Sequence, residues 1–325
     1  MTNNPYPLRP VTDAEFPRWA RMIADTYGID RTDAELAIQR SATDLSRTVG
    51  AFDGATPVGG ASIYPRRLTV PGARLDVAGV ASVAVPPTHR RRGINTAMMR
   101  YQLEDMRSHG EAVAALRPAE AGIYGRYGYG PASQGAQWRA DARAMVLRGD
   151  TDFGDGAISL LDAEGARGVI AAVYERVARE TVGWPDRDAS AWDLRLFEPP
   201  RGDRTAIRYA AHTSNGRADG YVLYRRMSRG AEILELAAET RAAHASLWRF
   251  MIDMDLVDLI EYEAAVDDPL LHLLVDPRAT RPSVQDRLWV RLVDVDVALA
   301  ARRYAADLDV VIDVADPLCP WNNGR

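Results

Sequence analysis

The sequence predicts a mixed α/β protein with two successive α/β regions and a shorter third region. Residues 1–148 alternate between helical and strand-like stretches, and a similar order of strands and helices returns between residues 157 and 265. At 325 residues the chain is also longer than one ordinary domain, which holds about 100–150 residues. We therefore expect domain boundaries near residues 148 and 283, which leave 284–325 as the third region.

The first region begins with helices and continues with strands. Thr12-Asp13-Ala14-Glu15 fits a capping box, in which a threonine hydroxyl and a glutamate three residues later satisfy the first amides of a helix. Periodicity and turn residues then predict the remaining elements. They are a helix at 33–38, strands at 48–54, 57–70 and 73–85, a helix at 93–110, and strands at 112–118 and 135–141.

The second region repeats this order but lacks a basic loop. Its predicted elements are a helix at 167–181, strands at 206–211, 220–224 and 231–236, a helix at 242–254 and a strand at 259–265. The junction LELAAETRAAH has no glycine and no arginine cluster, so a duplicated fold here would have lost its phosphate-binding residues. The third region is predicted as a strand at 288–295, a helix at 297–304 and a strand at 308–316, and it looks incomplete.

Composition and charge exclude several classes of protein. The net charge of −5 argues against a nucleic-acid-binding protein and favours a cationic substrate. All 40 basic residues are arginine, so the chain offers no lysine for self-acetylation. A single cysteine, Cys319, excludes an internal disulfide and a thiolate metal cluster. Without metal-ligand spacing, a long apolar run or a signal peptide, we expect a cytoplasmic protein with no metal and no membrane span.

The stretch SVAVPPTHRRRGINTAMM carries the strongest functional signal. A strand ends near Val85, two prolines follow, and the arginines lead into a helix, whose N-terminal amides and dipole favour an anion. Gly93 allows a phosphate to approach the backbone, and three arginines suit a ligand with several phosphates. On pattern alone, a solvated basic patch before an ordinary helix remains an alternative. Among phosphate-binding loops, the lack of lysine excludes a Walker A loop and the single glycine disfavours a dinucleotide fingerprint, which leaves the pyrophosphate loop of an acyl-CoA enzyme.

A family resemblance follows from these residues. Arg90-x-x-Gly93-x-Asn95 resembles the Q/R-x-x-G-x-G/A motif of GNAT acetyltransferases, with asparagine at the last position. VAVPPTHRRRG and LRPAEAGIYGRYGYGPAS resemble the Eis (enhanced intracellular survival) family of aminoglycoside and lysine acetyltransferases. The closing WNNGR region is similar to the start of that family's sterol-carrier-like third domain. The resemblance implies tandem GNAT acyl-CoA N-acyltransferase folds over 1–148 and 149–283, the second without a cofactor motif, and a partial sterol-carrier-protein-like α/β domain over 284–325.

The resemblance also implies an acetyl-CoA site, a general acid and a hexamer. In that family the pantetheine arm pairs with a bulged strand, the pyrophosphate lies on the basic loop, and a third segment contacts the cofactor. The matching residues are Val83, Ala84 and Val85; Arg90, Arg91, Arg92, Gly93, Ile94, Asn95 and Thr96; and Ala119 and Glu120. Tyr124 matches the tyrosine that protonates the leaving thiolate. On pattern alone, an aromatic residue in such a glycine-rich run is more often a packing residue.

These observations predict an N-acetyltransferase that moves the acetyl group of acetyl-CoA to a primary amine of an aminoglycoside-like polyamine, by direct attack. A protein-lysine acetyltransferase and a non-catalytic CoA- or lipid-binding module remain alternatives. We assign no general base, because the resemblance places that carboxylate at the end of the family's third domain. Asp25 and Asp30 are interpreted as solvated or capping carboxylates at helix ends.

Overall fold

The structure is a computed structural model that describes residues 5–198, 205–307 and 309–324. It divides the chain into two compact units. Unit 1 comprises Met1–Ala132, Val182–Pro199 and Leu288–Arg325. Unit 2 comprises Ser133–Thr181 and Pro200–Arg287. Because these segments alternate along the sequence, the chain passes between the units more than once. Among the described residues, each unit contains one seven-stranded sheet.

The elements are numbered along the chain. The strands are β1 (Leu8–Arg9), β2 (Thr48–Asp53), β3 (Thr56–Val70), β4 (Ala73–Ala84), β5 (Val113–Leu116), β6 (Gly130–Pro131), β7 (Gln134–Asp141), β8 (Ala157–Leu161), β9 (Arg208–Ser214), β10 (Arg217–Met227), β11 (Gly230–Ala238), β12 (Leu259–Ala265), β13 (Ser283–Asp286) and β14 (Trp289–Leu292). The α-helices are α1 (Phe16–Thr26), α2 (Asp33–Ser41), α3 (Ile94–Ser108), α4 (Ala121–Tyr124), α5 (Ala163–Glu180), α6 (Ala189–Leu196), α7 (Arg241–Ile252), α8 (Leu270–Leu273) and α9 (Val295–Ala300).

Both sheets share one central arrangement. The strand order is β1-β2-β3-β4-β5-β14-β6 in unit 1 and β13-β7-β12-β11-β10-β9-β8 in unit 2. Each sheet contains one parallel pair among antiparallel pairs. The parallel pair is β4 with β5 in unit 1 and β11 with β12 in unit 2. Parallel neighbours need a crossover connection, and α3 and α7 provide it. The predicted mixed α/β class and its repeated order are confirmed.

Adjacent glycines of β3 let helices approach both faces of the sheet in unit 1. A Cβ on Gly60 would lie 2.5 Å from Nε1 of Trp19 in α1, and one on Gly59 would lie 2.6 Å from Cγ2 of Ile94 in α3. Because successive strand residues point to opposite faces, α1 and α3 pack on opposite sides of the sheet. This close packing fixes the end of α1 and the start of α3 relative to β3 and β4.

Helices α1 and α2 begin within a few residues of the positions that the sequence predicts. Only half of the capping box predicted at Thr12 forms. The Thr12 amide donates to the Glu15 carboxylate at 3.1 Å as expected, but the Thr12 hydroxyl also donates to that carboxylate instead of accepting from the Glu15 amide. Arg9 binds the same carboxylate, and α1 begins only at Phe16. A complete capping box precedes α2 instead, where Thr32 and Glu35 cap each other.

The strand predicted as the last of the first region belongs to unit 2. β7 pairs with β12 from Gly135 to Asp141, and its Trp138 packs in an aromatic cluster. The ring centroid of Trp138 lies 5.7 Å from that of Trp248 and 5.8 Å from that of Tyr262. The boundary expected near residue 148 therefore does not match the compact units, since alternation shows that a strand forms but not which sheet it joins.

The expected boundary at 283 also differs from the structure. β14 pairs with β5 from Leu292↔Val113 to Trp289↔Leu116, so it is part of the sheet of unit 1. Residues 182–198 return to unit 1 as well, and Pro185 bridges to Leu68 of β3. A separate sterol-carrier-like domain over 284–325 is therefore not confirmed.

The third region is less regular than predicted. A strand and a helix form at 289–292 and 295–300, but residues 309–316 form no strand, and residue 308 lies outside the described residues. The side chain of Val311 is 93% exposed, so the apolar run lacks the buried face that a strand needs. The described part of the chain contains no helix with the length and apolar character required to cross a bilayer.

Candidate functional site

β4 and β5 diverge within the sheet of unit 1. Their parallel pairing covers three positions and ends at Gly79 and Ala115. β4 continues to Ala84, whereas β5 ends at Leu116 and pairs on its other edge with β14. Within the described ranges, no strand pairs with the edge of residues 80–84 that faces β5. Peptide groups along that edge are therefore available to a ligand.

A bulge lies in the same part of β4. Gly60 of β3 pairs with Ala84 and Ser62 pairs with Ala81, so β4 holds one residue more than β3 over this stretch. Ser82 takes up the extra length in the left-handed region, with φ of 58°, which is uncommon for a residue other than glycine. A bulge redirects the groups that follow it, here those of Val83 to Val85.

A tyrosine from α1 contacts the bulge. The hydroxyl of Tyr27, the C-cap residue that follows α1, donates to the carbonyl oxygen of Val83 at 2.6 Å. Tyr27 is 43% exposed, and the partial burial of its side chain raises the pKa of this hydroxyl above its usual value, so it carries its proton at neutral pH. Sequence reasoning missed Tyr27, because nothing in an aromatic residue before a helix-ending glycine indicates a partner 56 residues away.

The basic loop leads directly into an open helix N-terminus. Gly93 caps α3 with φ of 80° and no side-chain hydrogen bond, a conformation that glycine adopts readily. A helical hydrogen bond runs from the Ala97 amide to the Gly93 carbonyl at 3.0 Å. The amides of Ile94, Asn95 and Thr96 precede it and lack partners in the helical ladder. Together with the positive end of the dipole, they form a site suited to a phosphate.

The three loop arginines are exposed and differ in their hydrogen bonds. Arg92 donates to the Tyr6 hydroxyl at 2.6 Å and to the Thr88 carbonyl at 3.0 Å, which fixes it across the loop. Arg90 reaches the Val85 carbonyl at 3.5 Å. Arg91 has φ of 64° and forms no hydrogen bond or ion pair with a described residue. The loop thus places positive charge beside the free amides of α3.

Tyr124 is buried next to this bulge. Its side chain ends α4, is 5% exposed, and packs edge-to-face against Tyr129 at 5.9 Å between ring centroids. Val83 packs against the same apolar cluster. Burial, and then the neighbouring Tyr27 and Tyr127, raise the pKa of Tyr124 well above its usual value. Its hydroxyl is therefore protonated at neutral pH, and it forms no hydrogen bond with another described residue.

The turn that carries Tyr124 also touches the start of α3. The hydroxyl of Tyr127 lies 3.1 Å from Oγ1 of Thr96 and 3.3 Å from Nδ2 of Asn95. Ala119 and Glu120 are exposed in the segment before α4. The structure therefore brings the bulge of β4, the start of α3 and Tyr124 together. Within the described ranges, no three His, Cys, Asp or Glu side chains form a group that could hold a metal ion.

The equivalent position in unit 2 is built differently. β11 pairs in parallel with β12 up to Ile233, and a bulge follows at Leu234. There, however, the Thr240 hydroxyl accepts a hydrogen bond from the Ala243 amide and caps α7. The preceding Glu239 forms ion pairs with Arg176 and Arg217. In unit 2, therefore, a side chain caps the Ala243 amide and the nearby arginines are paired with Glu239, whereas in unit 1 no side chain caps α3.

Comparison with known proteins agrees with this geometry. Residues 7–132 match a family model described as an acetyltransferase (GNAT) domain, and residues 183–292 match a second model with the same description. These matches define a protein with two GNAT domains, a class that in general uses acetyl-CoA as cosubstrate. The second half of the chain therefore matches a GNAT domain even though the N-terminus of its helix α7 is capped by Thr240.

Individual relatives narrow the class to one family. The chain is 38% identical over 313 residues to an N-acetyltransferase of Streptomyces avermitilis, covering 92% of this chain and 76% of that protein. It is 38% identical over 282 residues to the N-acetyltransferase Eis of Mycobacterium tuberculosis, covering 82% and 68%. The crystal structure of Eis1 from Mycobacterium abscessus superposes with a TM-score of 0.83 at 37% identity, covering 98% and 81%. The chain belongs to the Eis-like GNAT N-acetyltransferases.

Proposed function

We propose that this N-acetyltransferase moves the acetyl group of acetyl-CoA to a primary amine of an aminoglycoside-like polyamine, with Tyr124 as the general acid. One observation supports this most directly. The buried, protonated Tyr124 hydroxyl has no described hydrogen-bond partner and lies in one cluster with Val83, beside the open N-terminus of α3. A proton donor, a free strand edge and an anion site are thus adjacent.

The proposed acetyl-CoA contacts fall into three groups with different chemistry. The free edge of β4 offers peptide groups to the amides of the pantetheine arm. The loop and first turn of α3 offer amides and guanidinium groups to the pyrophosphate. The exposed segment before α4 offers a third contact. The residues are Val83, Ala84 and Val85; Arg90, Arg91, Arg92, Gly93, Ile94, Asn95 and Thr96; and Ala119 and Glu120.

The proposed reaction assigns a role to each of these positions. A neutral amine attacks the thioester carbon, a C–N bond forms, and the C–S bond breaks with its electron pair on sulfur. Backbone N–H groups on the free edge of β4 stabilise the oxyanion. The Tyr124 hydroxyl donates its proton to the departing sulfur and regains one from solvent. The amine releases its own proton to solvent water, and we assign no residue as the general base.

The negative net charge supports a cationic substrate, and the membership of an Eis-like family supports an amine acceptor.

The family resemblance further supports a homohexamer in the cytoplasm and a sterol-carrier-like region that begins within residues 284–325. Sedimentation velocity tests the assembly, with a single species near six times 35.8 kDa expected.

Thiol release from acetyl-CoA tests the function. Tobramycin, spermidine and a lysine-containing peptide are each offered at pH 7.5, and free CoA is followed with a thiol reagent. We expect release with tobramycin and spermidine and little with the peptide. Release with the peptide alone would indicate a protein-lysine acetyltransferase, and a rise in melting temperature with CoA but no release with any amine would indicate a binding module.

A further inference from the structure

A hydrogen bond joins Tyr27, directly after α1, to Val83 in β4. Neither the basic-loop motif nor the proposed general acid accounts for this contact. Tyr27 is the C-cap residue directly after α1, and its hydroxyl donates to the carbonyl oxygen of Val83 at 2.6 Å. Val83 is the residue after the left-handed Ser82, at the point where β4 has left β5. The contact is therefore made at the bulge itself.

The fold holds the Tyr27 side chain above this spot. A Cβ on Gly60 would meet Trp19 and, at 2.9 Å, Cδ1 of Ile23, so the last turns of α1 are pressed onto β3. Gly60 pairs with Ala84 across the ladder. Tyr27 lies four residues after Ile23 and hence on the same face of the helix, which directs it to the neighbourhood of Ala84 and Val83.

The bulge needs a partner of this kind. A non-glycine residue in the left-handed region is unfavourable and persists only where surrounding contacts fix it. The carbonyl of Val83 lies one residue after Ser82. A hydrogen bond to this carbonyl therefore restrains the backbone of the bulge. A carbonyl oxygen has two lone pairs, and Tyr27 occupies one while the other remains available.

We propose that Tyr27 is a positioning residue for acetyl-CoA, whose hydroxyl fixes the Val83 peptide in the orientation that the pantetheine arm pairs with. This inference rests on the proposed function, in which Val83 contacts that arm. Tyr27 takes no part in bond making or breaking. Its removal leaves the anion site at α3 intact and weakens only the pantetheine half of the cofactor site.

Tyr27→Phe tests the role, because it removes the hydroxyl and keeps the ring. We expect the Kd for CoA and the KM for acetyl-CoA to rise about fivefold, as for the loss of one hydrogen bond. We expect kcat at saturating acetyl-CoA to stay unchanged. Adenosine 3′,5′-bisphosphate, which lacks the pantetheine arm, should bind equally well to wild type and variant.

Tyr304→Phe is the matched control. The Tyr304 hydroxyl is exposed and donates to a backbone carbonyl, that of Leu299, at 2.8 Å, and its loss should leave both constants unchanged. An unchanged or lower Kd for CoA in Tyr27→Phe, with wild type binding CoA, overturns the inference and leaves the proposed function standing. Equal weakening of CoA and the bisphosphate also overturns it. Failure of wild type to bind CoA overturns the proposed function and this inference together.

Discussion

The guanidinium of Arg291 is paired with the carboxylate of Asp316, its Nη2 donating to the two carboxylate oxygens at 2.7 and 2.6 Å. Both side chains are buried. Arg291 lies in β14, and its Nε also donates to the Tyr127 carbonyl at 2.9 Å. The pair thus connects residues near the end of the described chain to the turn that carries Tyr124.

Loss of this pair should destabilise unit 1. Asp316→Ala leaves a buried guanidinium without its counter-charge, which costs about 3 kcal/mol. Chemical denaturation monitored by fluorescence measures the loss, and Asp313→Ala, an exposed aspartate in the same segment, is the control. Equal stabilities of the two variants would show that the pair contributes nothing.

The difference between wild type and Asp316→Ala should depend on pH. Burial alone would raise the pKa of Asp316, but hydrogen bonds from Arg291 and the Cys319 amide hold it below its ordinary value of 3.8. A lowered pKa contributes stability above the unfolded-state value and loses it as the pH falls through the folded-state value. We expect a constant difference at pH 5–7 that narrows below about pH 4.

Tyr124→Phe should lower kcat/KM for the amine about a hundredfold, because a positioned general acid contributes at least this much. The Kd for CoA should be unchanged, since the ring and its packing against Tyr129 remain. Tyr304→Phe again provides the control. Wild-type rates in Tyr124→Phe at neutral pH would exclude this residue as the acid.

The alkaline side of the pH–rate profile tests the same assignment. Because burial raises the pKa of Tyr124 above the ordinary tyrosine value of 10.0, the hydroxyl keeps its proton as the pH rises. The rate should increase as the amine loses its proton and should not decline before about pH 10. A decline below pH 9 in wild type that is absent from Tyr124→Phe would mean that the tyrosine ionises too early for this role.

Arg91→Gln should weaken CoA binding about fivefold, because the exposed Arg91 guanidinium forms no bond with a described residue and is available to a phosphate. The affinity of the variant should also depend less steeply on salt than that of wild type. Arg241→Gln alters an arginine at the first position of α7 in unit 2 and is the matched control. Calorimetric titration at two salt concentrations measures both effects.

Local signals predict where the basic loop lies between β4 and α3. Prolines, one glycine and helical periodicity lie within a short stretch, and the structure ends β4 and begins α3 within a residue of the predicted positions. The matching of Val83 and Tyr124 came from the family resemblance and not from the spacing. The structure adds that both lie against one apolar cluster.

Features that depend on distant residues could not be predicted. β7 alternates in the same way whichever sheet it joins, and its place in unit 2 depends on pairing with the distant β12 and on the contacts of Trp138 with Trp248 and Tyr262. The bulge falls at Ser82, which carries none of the sequence signal that a glycine would have given. The Tyr27 hydroxyl meets Val83 because α1 packs on Gly60, a contact that no local pattern records.

One CoA should bind per chain, because the helix N-terminus in unit 2 is already occupied. Thr240 caps α7 with its own hydroxyl, and Glu239 beside it holds the guanidinium groups of Arg176 and Arg217 in ion pairs, so these arginines are already engaged. Thr240→Ala should lower the stability by about 1 kcal/mol, the usual loss for an N-cap, and leave the CoA affinity unchanged. Calorimetry gives the stoichiometry and urea unfolding gives the stability. A second CoA per chain in wild type, or a loss of CoA binding in Thr240→Ala, would show that unit 2 also holds the cofactor.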